Sequence, residues 1–296
     1  MERILVTGAS GYIGQHLCLT LAESAQVRGL SRSARPPSLA QFEWIMGDIT
    51  DTDAVTRAVA GCQTVVHLVC LPLPESAQNP QEAQRVNAVG TLCMLEAARQ
   101  AGVERFIYTS TGQVYGGCAP LPNVETCRPQ PDSAYAASKL SGEIWAETYA
   151  RVHGLSVQIL RLFNVYGPTV DRRPRSSVEA IFLQRLRQGQ RPQVQGHPGS
   201  GRDFIHIQDV LRSVRLALAH PAWSGPINIG TGTCTTLGDL ARLAAQVVGY
   251  PLAPEMLATR STPVRFQAHT TRAQMLLDFR AKISLEVGLQ QLAETL

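Results

Sequence analysis

The sequence predicts an α/β protein built on a doubly wound parallel sheet, with a smaller, mostly C-terminal α/β domain attached. Three observations predict it. Short runs rich in β-branched and aromatic residues alternate with helical patterns through the first half. Those runs are apolar almost throughout, as strands covered on both faces are. The first of them ends in a glycine-rich turn that leads straight into a helix. With 296 residues, 44% of them hydrophobic and 17% charged, the chain is long enough for one large domain or one and a half ordinary ones.

The first strand is Ile4–Thr7 (ILVT), followed by a helical pattern over Gly14–Ala22. Val27–Leu30, Phe42–Met46, Val65–Val69 and Arg105–Thr109 are the next strands. Helical patterns lie between them near 52–60 and 80–101, the second closing on Ala101-Gly102 as a C-cap does. With right-handed crossovers this alternation gives a Rossmann-type sheet. A further helix enters through Pro131-Asp132-Ser133 and leaves at Gly154, ahead of a strand at Val157–Leu162. Beyond Tyr166-Gly167-Pro168 the composition changes. The segment 168–201 is rich in Arg, Pro, Gly and Gln, carries one helix near 177–188, and reads as an insertion over the carboxyl edge of the sheet. Strand Phe204–Ile207, a helix at 208–219, strand Pro226–Ile229 and a helix at 236–248 follow. Periodicity is weak from there to the end.

Several function classes are disfavoured at this level. The net charge of +4 is mild, and no basic stripe with interleaved aromatics marks a nucleic-acid surface. No apolar run reaches the ~18 residues a membrane span needs. The chain enters a strand directly after Met-Glu-Arg, without room for a signal peptide. Cys18, Cys62, Cys70, Cys93, Cys118, Cys127 and Cys234 are scattered, with no C-x-x-C and no Cys/His cluster for a metal. Most have apolar neighbours, as in Val66-His-Leu-Val-Cys70, and read as buried, reduced thiols of a cytoplasmic protein.

Thr7-Gly8-Ala-Ser10-Gly11-Tyr12-Ile13-Gly14 joins the first strand to the first helix. Glycine there lets the backbone approach a pyrophosphate closely, and the helix N-terminus presents N–H groups with a partial positive charge. At the end of the second strand, an acid would accept bonds from an adenine ribose and repel a 2′-phosphate. The strand ends instead in Ser31-Arg32, and Arg32 can pair with a 2′-phosphate, which favours NADP over NAD. In Gly47-Asp48-Ile49 the carboxylate can meet the adenine amino group or cap the next helix.

In Ser133-Ala-Tyr135-Ala-Ala-Ser-Lys139, Tyr135 and Lys139 stand four apart and project from one helical face. Against 25 arginines the chain has only two lysines, Lys139 and Lys282. A phenol of pKa ~10 is a poor base at neutral pH, and a nearby ammonium favours the phenolate. Thr109-Ser-Thr111-Gly112-Gln113-Val-Tyr115 supplies a hydroxyl partner at a strand end, where doubly wound sheets bind ligands.

Taken in order, these motifs resemble those of the extended short-chain dehydrogenase/reductases, specifically the NAD(P)-dependent nucleotide-sugar epimerases, dehydratases and reductases. The resemblance spans nearly the whole chain. It is carried by the glycine loop, His67-Leu68-Val-Cys70, Asn87-Ala-Val-Gly90-Thr91 and the Tyr135/Lys139 pair. Arg161-Leu-Phe-Asn164-Val-Tyr-Gly-Pro168, Gly201-Arg202-Asp-Phe-Ile-His206 and Asn228-Ile-Gly230 extend it. The resemblance implies that Thr111, Tyr135 and Lys139 are catalytic. It implies a cofactor site of Gly8, Ser10, Gly11, Tyr12, Ile13, Gly14, Arg32, Asp48, Ile49, Leu68 and Asn87, shared with Tyr135 and Lys139. Asn164, Arg202 and Arg265 would bind a nucleoside-diphosphate sugar. Residues 1–166, with 202–232 returning, would form the cofactor domain, and 167–201 with 233–296 the substrate domain. A homodimer through the helices at 80–101 and 133–153 is implied as well.

The same resemblance frames the reaction. Dehydratases of this kind place acidic residues directly after the threonine, where this chain has Gly112 and Gln113. That leaves 4-epimerisation first, NADPH-dependent reduction of a 4-keto sugar nucleotide second, and a non-catalytic cofactor-binding subunit third.

Overall fold

A computed structural model describes every residue except 118, 172–175, 198, 221–224, 251–252 and 258–261. The chain opens with β1 (Arg3–Thr7), α1 (Tyr12–Leu21), β2 (Gln26–Ser31), β3 (Glu43–Met46), α2 (Thr52–Val59) and β4 (Thr64–His67). It continues through α3 (Leu73–Gln78), α4 (Pro80–Gln84), α5 (Gly90–Gln100), β5 (Arg105–Thr111), α6 (Ala134–His153) and β6 (Ser156–Leu162). Shorter strands and helices follow: β7 (Asn164–Tyr166), α7 (Val178–Arg187), β8 (Gln193–Gln195), β9 (Gly201–Arg202), β10 (Phe204–His206), α8 (Ile207–Ala219) and β11 (Pro226–Ile229). The chain ends with β12 (Thr235–Thr236), α9 (Leu237–Val247), β13 (Glu255–Leu257), α10 (Thr271–Leu277) and α11 (Leu285–Ala293).

Seven strands form one sheet in the order β3-β2-β1-β4-β5-β6-β11. The pairings from β3 through β5 are parallel, with Val6 opposite Gly29 on one side and Val66 on the other. The chain steps outward from β1 to β3 and then returns to β4, so the carboxyl ends of β1 and β4 flank the switch point where such sheets bind ligands. Leu5, Val65, Phe106 and Tyr108 pack with Val55 of α2 and Met94 and Leu95 of α5 in one buried core. Ser133 caps α6 by accepting the Ala136 N–H at 3.2 Å, and Gly154 ends it in the left-handed conformation.

The structure departs from expectation in several places. β4 stops at His67 rather than running to Val69, and α3 was not anticipated. The helix expected over 80–101 is interrupted by a π-helical turn at Arg85–Val89. Two compact units emerge: 1–116, 128–161 and 213–227 make the first, and 117–127, 162–212 and 228–296 the second. The returning segment is therefore 213–227 rather than 202–232, and residues 162–166 go with the second unit.

The second unit has its own core of Tyr166, Phe182, Leu183, Phe204, Leu240 and Leu289. Its tail, unreadable from periodicity, is ordered by polar anchors. Asp209 accepts the N–H groups of Lys282 and Ile283 at 3.0 Å, and Ser284 caps α11 through the Val287 N–H at 3.3 Å. With 7 and 9 residues, α10 and α11 are too short to leave a clear period. Of the arginine-rich stretch, 172–175 and 198 lie outside the described residues.

The described cysteines are unpaired, but only Cys18 and Cys62 are buried; Cys93, Cys127 and Cys234 are intermediate and Cys70 is exposed. The reading of most cysteines as buried is thus corrected, and Cys118 lies outside the described residues. Among the described residues no helix is long and apolar enough to cross a membrane, and no group of three His, Cys, Asp or Glu could hold a metal.

Candidate active site

The turn after β1 is built by glycine. Gly8 has φ +68°, and a Cβ there would lie 3.1 Å from the Val69 nitrogen. Gly8 and Ala9 donate their N–H groups to the Leu30 carbonyl at 2.9 and 3.3 Å, pinning the turn to β2. Gly14 packs α1 onto the turn so tightly that a Cβ would sit 2.8 Å from the Ala9 Cα. Gly11 is the N-cap of α1, and no side chain caps the helix. The first turn, with Tyr12 and Ile13, therefore presents backbone N–H groups and the positive end of the helix dipole. This cradle fits a pyrophosphate. Ser10 closes it toward β2, its hydroxyl 2.6 Å from Ser31 Oγ.

Arg32, exposed just beyond β2, brings its guanidinium to 4.0 Å from Asp48. Asp48 does not cap α2. Its Oδ1 accepts the Thr50 N–H and hydroxyl at 2.8 and 2.7 Å, and the cap is Asp51, which accepts from Asp53 and Ala54. Arg85 lies 3.3 Å from the other Asp48 oxygen and also clasps both oxygens of Glu82 at 2.7 and 2.8 Å. Burial pushes the Asp48 carboxyl up, but hydrogen bonds from Thr50 and Arg85 outweigh it and hold the group below its ordinary value. Ile49 is a core residue pressed against Gly90.

A directed chain of hydrogen bonds crosses from β1 to α6. The Leu68 N–H donates to Thr7 Oγ1 at 3.2 Å, and Thr7 Oγ1 lies 2.9 Å from His67 Nδ1. His67 Nε2 lies 3.1 Å from Thr91 Oγ1, whose hydroxyl donates to the Asn87 carbonyl at 2.7 Å. Thr91 then accepts from His67 Nε2–H, and with the imidazole neutral Nδ1 accepts from the Thr7 hydroxyl. Burial, aided by the charge of Lys139, pushes the imidazole down to about 3. The Asn87 amide is committed to protein: it accepts the Leu71 N–H at 2.6 Å and donates to Ser138 Oγ at 2.9 Å. Ser138 in turn donates to the Tyr135 carbonyl at 2.9 Å. Asn87 thereby ties the stretch after β4 to the turn of α6 that carries Tyr135 and Lys139.

Tyr135, Thr111 and Lys139 are gathered in the first unit. The Tyr135 phenol is within side-chain hydrogen-bonding range of Thr111 and of the Cys70 thiol. Thr111 is buried at the end of β5, its Oγ1 also accepting the Gln113 N–H at 3.2 Å. Lys139 is only 2% exposed, with Nζ 4.3 Å above the Tyr108 ring. Burial pushes its ammonium down to about 8, opposed by Cys70 and Glu143. The Tyr135 phenol is not lowered as expected. Burial pushes it well above its ordinary value, and Thr111 opposes that. Cys70 is exposed as a residue, yet its thiol turns to Tyr135, and burial pushes that thiol up.

The other expected residues lie in the second unit. Asn164 opens β7 and donates its N–H to the Asp203 carbonyl at 2.9 Å. Arg202 in β9 donates to the Gly201 and Val264 carbonyls at 3.0 Å and stacks on Phe266. Arg265 bridges to Gly201, is exposed, and donates through Nε to the Gly199 carbonyl at 2.7 Å. Two guanidiniums thus share one small patch of backbone. Sequence reasoning assigned no role to Cys70, Arg85, Glu143 or Arg161. Glu143 was signalled by its place one turn after Lys139, and Arg161 by a charge set inside an apolar strand.

Comparison with known proteins identifies the family. The model of the NAD dependent epimerase/dehydratase family matches residues 4–230. The chain is 33% identical to a UDP-glucose 4-epimerase of Mycolicibacterium smegmatis, over 99% of this chain and 97% of that one. The crystal structure of a UDP-glucose 4-epimerase from Thermotoga maritima with UDP-glucose superposes with a TM-score of 0.91 at 32% identity, covering 99% and 98% of the two chains. The dTDP-glucose 4,6-dehydratase DesIV of Streptomyces venezuelae, solved with NAD, gives 0.89 at 27% identity, covering 99% and 96%.

Proposed function

The chain belongs to the NAD dependent epimerase/dehydratase family, and from that premise we propose that it interconverts UDP-glucose and its C4 epimer with a nicotinamide dinucleotide held in the first unit. The observation that carries this reading is the Thr111–Tyr135 contact, with Lys139 buried one helical turn away and no acid directly after Thr111. The bound dinucleotide supplies the hydride acceptor and donor.

The protein's own groups handle binding and the proton. Gly8, Ser10, Gly11, Tyr12, Ile13 and Gly14 receive the pyrophosphate. Asp48, with Ile49 beside it, receives the adenine, and Leu68 and Asn87 hold the wall next to it. The positive charge that an oxidised nicotinamide would supply when bound favours the phenolate that burial alone disfavours, so that Tyr135 Oη takes the proton from the sugar's C4 hydroxyl and later gives it back, while Thr111 Oγ1 orients the reacting oxygen. Lys139, protonated below about pH 8, offers a compact three-donor head to ribose hydroxyls. Asn164, Arg202 and Arg265 engage the sugar nucleotide, the two guanidiniums suiting its diphosphate. Gly112 has no side chain and Gln113 cannot carry a proton, which weighs against dehydration.

Arg32 favours a second reading. Exposed at the end of β2, it suits a 2′-phosphate, and a chain that consumes NADPH would reduce a 4-keto sugar nucleotide instead. Both readings are tested by the nucleotide released from the purified, denatured protein and by turnover of UDP-glucose. The epimerase reading expects a retained cofactor and UDP-galactose formed without net redox change. No epimer, with NADPH consumed by a 4-keto sugar nucleotide, would overturn it.

The protein acts as a homodimer in this reading, through α5 and α6. Ile144, Trp145 and Val152 recur at helical spacing on α6, and they stand exposed together with Val89 before α5. The unpaired thiols accord with a cytoplasmic site of action.

A further inference from the structure

We propose that Glu143, Arg161 and Tyr115 form a positioning unit for the active site: one guanidinium clamps the helix carrying Tyr135 and Lys139 to the turn that begins at Thr111, and the Glu143 carboxylate is the counter-charge of the Lys139 ammonium. The inference rests on the roles proposed above for Thr111, Tyr135 and Lys139.

Glu143 sits one turn beyond Lys139 on the same face of α6. Arg161, in β6, donates Nε and one terminal nitrogen to the two Glu143 oxygens at 2.9 and 2.7 Å. Its other terminal nitrogen donates to the Tyr115 hydroxyl at 2.9 Å, and the guanidinium lies 4.8 Å from the Tyr115 ring centroid. Tyr115 ends the 3-10 turn Gly112–Tyr115, whose N-cap is Thr111. The Arg161 and Glu143 side chains are only 4% and 3% exposed.

Stability is a weak reason for such a pair. Desolvating two ions costs about as much as their attraction returns, so well-packed apolar residues of similar volume serve as well or better. What apolar residues cannot do is fix registry among three elements by directed bonds. This pair does so where a hydroxyl, a phenol and an ammonium must keep their mutual positions. The groups facing Lys139 are the Cys70 thiol and His67 imidazole near β4, the Tyr108 ring of β5, and Glu143 on its own helix. Glu143 is the carboxylate among them. Without it, Lys139 loses its counter-charge and Arg161 is left unneutralised nearby, and both changes disfavour the ammonium.

The two lysines of the chain make a direct test practical. In the full-length protein labelled with 13Cε-lysine, two side-chain signals are expected, and the exposed Lys282, replaced in Lys282→Arg, assigns them. The Lys139 signal should titrate near pH 8 in the parent and at least one pH unit lower in Glu143→Gln, about a tenfold loss of proton affinity. Tyr115→Phe keeps the ion pair and should leave that midpoint in place, while amide exchange at Gln113 quickens and kcat falls about tenfold at unchanged KM. An unmoved Lys139 midpoint in folded Glu143→Gln would overturn the counter-charge. Parental exchange and kcat in Tyr115→Phe would overturn the clamp, and that variant decides alone if Glu143→Gln does not fold. Titration and exchange need no sugar turnover, so an inactive parent would sink the proposed epimerase and leave this inference to be judged on them.

Discussion

Lys139 and Arg161 of the first unit are enclosed by phenols, a thiol, an imidazole and a carboxylate, whereas Arg265 and Lys282 of the second unit are exposed to solvent. The residue types are nearly the same. Their physical situations are not. An enclosed charge is sensitive to single atoms, because burial already disfavours it and each neighbour decides its state. An exposed charge is screened by water and salt and contributes mainly to attraction. In the proposed function, chemistry therefore falls to the first setting and ligand capture to the second.

The contrast is tested most severely at Tyr135. Tyr135→Phe, which keeps the ring and removes the proton carrier, should lower kcat by about 10³-fold in UDP-glucose turnover with KM little changed. Activity within tenfold of the parent would break the contrast at its centre. Lys139→Arg keeps the charge and should keep the fold, yet a rigid fork replaces a compact head, with kcat expected to fall about 100-fold. Near-normal turnover would mean that charge alone sufficed.

A smaller effect tests burial itself. His67 is held at about 3 in the folded chain against 6.5 ordinarily, so between those values the unfolded chain binds a proton that the folded chain refuses. Its neutral pairing then stabilises the fold fully above pH 6.5, and that stability is lost as pH falls toward 3, by up to ~1.4 kcal/mol per pH unit. Urea unfolding at pH 6.5 and 5.0 should show the parent losing about 2 kcal/mol more than His67→Asn over that interval. Equal losses would mean that the imidazole charges freely in the fold. The mildest outcome is expected at the exposed end. Arg265→Ala should raise KM for UDP-glucose about tenfold with kcat within twofold, and added salt should shrink the difference. A large fall in kcat would erase the distinction between the two settings.

What could be read in advance follows the range of the interactions. The turn from Thr7 to Gly14 and the Tyr135/Lys139 pair are local, since glycine conformation and the i,i+4 rule act within a few residues. The Glu143–Arg161 pair joins positions 18 apart, and Arg85 reaches Asp48 across 37 residues. No local pattern announces such a partner. The two roles open to Asp48 stay undivided in the sequence for a related reason, since Asp48 and Asp51 are equally good caps by type and only the backbone path chooses Asp51. The tail escaped because its helices are short and are held by Asp209 from far back in the chain.

By itself the sequence determined the alternation of strands and helices, the glycine turn after the first strand, the spacing of Tyr135 and Lys139 on one helical face, and, through the order of its motifs, the family. The tertiary structure alone decided how those groups ionise. Burial raised the Tyr135 phenol instead of lowering it, brought Lys139 to about 8, and turned the Cys70 thiol toward Tyr135. The reason is that a side chain's own chemistry is written in its type, whereas desolvation and counter-charge depend on what distant parts of the chain pack around it.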